Sequence, residues 1–112
     1  MGRDCCFACQ DCEVDIILGY GSYGGWIPPN SDIKTAADYD AFPDPSGHKS
    51  YHRNLMFRKA MVEHKGHTWL TYSTDWCFIN KDTQALEMDK GWYGSKVLME
   101  NVGRFRRENW SI

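Results

Sequence analysis

A chain of 112 residues with 42% hydrophobic and 14% aromatic side chains has the size and apolar content of one folded domain, which excludes an intrinsically disordered chain. Its formal net charge of −2 creates no global basic field, so nucleic acid is not favoured as a partner. No apolar run approaches the ~20 residues that span a bilayer, and the first residues lack a secretory hydrophobic core. The expected compartment is therefore the cytoplasm, with no membrane partner.

Four of the five cysteines, Cys5, Cys6, Cys9 and Cys12, lie in the first twelve residues, and Cys77 stands apart. In a reducing compartment such a cluster favours metal binding over disulfides. Cys9 and Cys12, two residues apart and directly before an apolar run, have the spacing of a zinc knuckle, and Cys6 adds a second overlapping pair. A second pair with the same spacing, His64 and His67, falls where a helix should end and a strand begin. The expected metal ligands are Cys6, Cys9, Cys12 and His67, with His64 and Cys77 competing for the fourth place. Residues 1–12 are thus either a metal knuckle or a disordered N-terminus. Cys6, Cys9 and Cys12 with remote Cys77 also supply three-plus-one thiolates for an iron–sulfur cluster, although the following proline of the bacterial pattern is missing.

The run from Glu13 to Leu18 alternates, with Val14, Ile16 and Leu18 on one face, and predicts a strand. Gly19, Gly21 and Gly24 then match a dinucleotide-fold fingerprint, but Gly25-Trp26-Ile27-Pro28-Pro29 cannot form the helix that would meet a pyrophosphate. The loop reads as a glycine-rich turn whose aromatics fold back on the sheet, and its functional reading is an aromatic binding surface of Tyr20, Tyr23 and Trp26. Ser31 or Asp32 caps an expected short helix over 33–39, stopped by Pro43 and Pro45.

The strongest helix prediction covers 50–65 and ends at Gly66. Met56, Phe57, Ala60, Met61 and His64 form its apolar stripe, while Tyr51, Leu55 and Val62 make a second strip that implies cover on more than one side. Residues 68–72 and 76–80 read as strands joined by a hairpin turn at Ser73-Thr74-Asp75, and 84–88 and 96–102 as two more. Arg104, Arg106 and Arg107 read as a solvated basic end. The order of elements predicts an α+β fold in a single domain, with one main helix packed on a mostly antiparallel sheet.

Asp38 to Pro43, then Asn54, then His64 loosely resembles the spacing of the His-Asn-His endonucleases over about thirty residues. That resemblance implies a metal-dependent hydrolase or nuclease using His48, His52, His64 and His67, but Tyr39-Asp40 stands where the family's water-activating histidine belongs. His48 and His52 would also share a helix face. No nucleophile-elbow or His-Glu-x-x-His motif occurs. The residues favour a small non-enzymatic regulatory protein, held by a structural zinc knuckle and acting through a protein partner. The hydrolase is the alternative, and an iron–sulfur or redox protein the second.

Overall fold

The computed structural model describes residues 4–20, 35–41, 52–73, 77–88 and 98–110. These form seven strands and two α-helices: β1 (Asp4–Cys9), β2 (Val14–Tyr20), α1 (Ala36–Ala41), α2 (His52–Glu63), β3 (Trp69–Ser73), β4 (Cys77–Ile79), β5 (Leu86–Met88), β6 (Leu98–Met99) and β7 (Arg106–Asn109). The strands make a four-stranded sheet in the order β3-β1-β2-β7 and a three-stranded sheet in the order β4-β5-β6. Only the β2–β7 pair in the first sheet is parallel, which makes it mixed. The second sheet is antiparallel. The α+β class is as expected, with α2 as the main helix and the short α1 beside it.

Alternation along β1 and β2 explains the layering, because successive side chains of a strand point to opposite faces. Phe7 and Cys9 on β1, with Val14, Ile16 and Leu18 on β2, face α1 and α2. There they pack with Tyr39, Phe57, Ala60, Met61 and Trp69. Cys6 and Ala8, with Tyr72, face the other way, toward Cys77, Leu86, Met99 and Val102 of the second sheet and its neighbouring turn. The helices, the first sheet and the second sheet therefore form three layers around two cores.

This placement corrects the reading of the N-terminus. The cysteine-rich segment contributes a central strand of the main sheet, not merely a knuckle or a disordered end. Cys6, Phe7, Ala8 and Cys9 are all buried, and Cys6 packs there as a small hydrophobe. Edge strand β7 adds to another expectation: Arg106 and Arg107 are exposed, as expected of a solvated basic end, but they belong to a strand parallel to β2. Its first N–H donates to the Glu13 carbonyl at 2.9 Å.

Helix α1 begins after a capping box. The Asp38 N–H donates to Thr35 Oγ1 and the Thr35 N–H to Asp38 Oδ2, each at 3.1 Å, and these bonds satisfy donors that a helix start leaves open. Residues 31–34, where the helix was expected to begin and be capped, lie outside the described residues. Helix α2 keeps its expected inner stripe, with Phe57, Ala60, Met61 and His64 buried. Beyond it, Gly66 adopts φ 82°, the left-handed conformation that glycine takes at a helix end without a Cβ penalty. Leu55 and Val62 are instead 50% and 53% exposed, so the second strip is not covered by the described residues. The expected β3–β4 hairpin also fails: β3 pairs with β1 and β4 with β5, in different sheets. Its turn, residues 74–76, lies outside the described residues.

Candidate metal centre

Two tight turns make the site. The first is the four-residue loop between β1 and β2, whose closing pair is Cys9 and Val14. Glu13 takes φ 52° there and completes the reversal. Within the loop the backbone of Cys12 and Asp11 favours the Cys9 thiolate, against the effect of burial. The second turn follows α2, where the His67 N–H donates to the His64 carbonyl at 3.0 Å.

Strand pairing brings the two turns together. The Gln10 N–H donates to the Thr68 carbonyl at 2.8 Å, and the Thr68 N–H donates to Asp11 Oδ2 at 2.5 Å. These bonds extend the β1–β3 ladder past Cys9 and Trp69. The knuckle therefore faces the end of α2, although more than fifty residues separate them along the chain.

Cys9, Cys12, His64 and His67 each offer one ligand atom to a common centre, and the four atoms lie within 4.8 Å of one another. His67 Nδ1 is 3.4 Å from both Cys9 Sγ and Cys12 Sγ, and His64 Nδ1 is 3.5 Å from Cys12 Sγ. Zinc–sulfur and zinc–nitrogen bonds of about 2.3 and 2.0 Å span ligand separations of this order in a tetrahedron. The four residues are thus positioned to hold a metal ion, in a set compatible with zinc.

No protein-family model, curated protein or solved structure matches the chain. Cys9 and His64 are buried, whereas Cys12 and His67 are exposed. Burial lowers the His64 pKa, assisted by the neighbouring His67, which keeps its imidazole neutral and its lone pair available. The Cys9 thiol is pushed up, first by burial, against the opposing effect of the Cys12 and Asp11 backbone. A divalent cation held by these ligands would reverse that balance by favouring the Cys9 thiolate.

Three of the four expected ligands, Cys9, Cys12 and His67, come together. Cys6 does not join them: it lies on the opposite face of β1, in the core against the second sheet. A single residue step along a strand reverses a side chain's face, so Cys6 and Cys9, three positions apart, cannot share one. His64 stands in the fourth place. Its membership was legible in the His-x-x-His spacing, but choosing it over Cys6 required knowing that residues 4–9 are a strand.

Cys77 lies in the same far core as Cys6. The three-plus-one thiolates of an iron–sulfur cluster are consequently divided between two faces of the sheet. His48 lies outside the described residues, and for His52 only its backbone place at the start of α2 is described. Asp38 to Ala41 belong to α1. Tyr23 and Trp26 lie outside the described residues, and Tyr20 is described only as the last backbone position of β2. No helix among the described residues is long and apolar enough to cross a membrane.

Proposed function

We propose that this protein is a small binding module whose fold is fastened by a structural zinc ion at Cys9, Cys12, His64 and His67. The convergence of four ligand atoms within 4.8 Å carries this reading. Four protein ligands complete a tetrahedron, whereas a catalytic zinc keeps one position for water or substrate. The ion would tie the β1–β2 turn to the α2–β3 turn, clasping two segments remote in sequence. Such a role favours a structural site over a hydrolase using the same histidines.

A protein is the partner best suited to the remaining surface. Leu55 and Val62 stand seven residues apart on α2, near two turns of the helix, and both are half exposed. Phe78 on β4 is 48% exposed. Large side chains of this kind are used in protein recognition. Tyr20, Tyr23 and Trp26 are the second candidate surface.

Elemental analysis of the purified chain tests the metal, with one zinc per chain expected and its loss expected in His64→Ala. A brown protein rich in iron and sulfide would overturn the reading. Cross-linking to cellular proteins, compared among wild type, a Leu55→Ser/Val62→Ser variant and Trp26→Ala, tests the binding role. Cross-links that persist unchanged in both variants would exclude both surfaces.

A further inference from the structure

The two thiols of the metal centre differ sharply in their access to solvent. Cys12 is exposed on the turn, and Cys9 is wholly buried at the end of β1. Their sulfurs lie within 4.8 Å of each other. A disulfide brings the sulfurs to ~2.0 Å, and of the two residues Cys12 stands in the exposed turn. Cys6 and Cys77 are only 4% and 3% exposed, on the far side of the sheet. Among these four thiols a dissolved oxidant meets Cys12 first, and within the metal centre the sulfur beside it is that of Cys9.

We propose that Cys9 and Cys12 form a reversible, peroxide-sensitive dithiol whose oxidation ejects the metal ion. This rests on the zinc reading above for the ejected ion, and on the chain's own geometry for the disulfide. The Cys12 thiolate attacks hydrogen peroxide. The O–O bond breaks, an S–O bond forms, and the departing hydroxide takes a proton to become water. The Cys9 thiolate then attacks the Cys12 sulfur. An S–S bond forms, the S–O bond breaks, and a second hydroxide leaves as water after taking a proton. Two thiolates together surrender the two electrons that peroxide accepts, and zinc keeps its oxidation state.

Neither sulfur of the disulfide is anionic, so the ion retains only the two imidazoles and departs. The Gln10–Thr68 and Thr68–Asp11 hydrogen bonds do not involve the thiols. They keep the two turns adjacent, so that an external thiol reductant can restore the site. The polypeptide thereby couples a peroxide signal to the presence of its clasp.

The test treats the zinc-loaded full chain with hydrogen peroxide, follows zinc with a chromogenic chelator and maps cysteine linkages by mass spectrometry. The expected result is zinc release in step with a Cys9–Cys12 disulfide and a mass lower by two hydrogens, reversed by dithiothreitol and zinc. A Cys6→Ala/Cys77→Ala variant should release zinc as the wild type does. Zinc retained under peroxide, or released with Cys12 converted to sulfinic acid and no link to Cys9, overturns the proposal. A chain that purifies without zinc defeats the structural-zinc reading instead. On that metal-free chain, linkage mapping still decides the dithiol: the Cys9–Cys12 link supports it, and its absence overturns it.

Discussion

The Phe7 ring lies against the His64 imidazole, with centroids 5.3 Å apart and planes inclined at 41°. Phe7 also meets Trp69 at 4.8 Å and Phe57 at 6.4 Å. One fully buried residue of β1 thus belongs to the helix-facing core and to the wall of the metal centre. The site is held in place by the same packing that joins α2 to the sheet.

Phe7→Ala should therefore weaken both. Loss of a fully buried aromatic side chain costs about 3–5 kcal/mol, and His64 loses the ring that restricts it. Urea denaturation checks the first effect, and competition with a chromogenic chelator the second. Val14→Ala, in the same core, provides the comparison: it should destabilise the fold with a smaller change in zinc affinity.

Zinc removal should lower stability without abolishing the fold, because both cores are built mainly from apolar side chains that hold no metal, with Cys9 and His64 at the edge of one of them. Free zinc a thousandfold above the dissociation constant adds about 4.1 kcal/mol to the unfolding free energy. Thermal unfolding with and without chelator measures the difference. Far-ultraviolet circular dichroism of the chelated protein should retain its strand and helix signal. His64→Ala should remove the zinc-dependent part of the stability.

A second polar group sets a pH dependence. The Asp15 carboxylate is buried beneath the second sheet, where Tyr72 Oη donates to it at 2.7 Å and Arg107 pairs with it at 3.3 Å. Burial raises the Asp15 pKa, against the opposing effects of Tyr72 and Arg107. A carboxyl whose pKa is higher in the folded state than in the unfolded state favours folding when protonated. That contribution is present below the unfolded-state pKa and is lost as pH rises through the folded value. The stability of wild type relative to Asp15→Asn should consequently fall as pH climbs through and above the ordinary carboxylate range. Urea titrations of the two proteins at matched pH and zinc concentration read it directly.

Gly103 marks a close approach between the turn after β6 and the second sheet. Its N–H donates to the Gln84 carbonyl at 2.9 Å. A Cβ at this position would strike the Gln84 side-chain oxygen and come within 2.9 Å of Ile79 Cγ2. Gly103→Ala should cost about 1–3 kcal/mol, the range for forced overpacking, measured by chemical denaturation. Gln84→Ala in the same chain should recover part of that loss, because it removes the first obstacle.

Local pattern carried much of the reading. The alternation of Val14, Ile16 and Leu18 reports one face of a strand, and the Phe57, Ala60, Met61 and His64 stripe with Gly66 reports a helix and its end. Both are properties of neighbouring residues, so they are written in the sequence at short range. The Cys-x-x-Cys and His-x-x-His spacings likewise announce two half-sites. Strand β7 was harder to read because an edge strand of Arg, Arg, Glu and Asn carries no apolar alternation. The β3–β4 hairpin was misread because turn-like residues fit a change of sheet as well as a reversal.

By itself, then, the sequence determined the α+β class, the main helix and the Cys-x-x-Cys and His-x-x-His spacings of the candidate ligands. Only the tertiary structure decided which pairs meet and which cysteine is left out. Pairing of β1 between β2 and β3 brings Cys9 and Cys12 to His64 and His67, while alternation along β1 sends Cys6 to the opposite core. The physical reason is range. Helix periodicity and turn chemistry act over a few residues, but sheet register is set by partners far along the chain, and that register gives each cysteine its face.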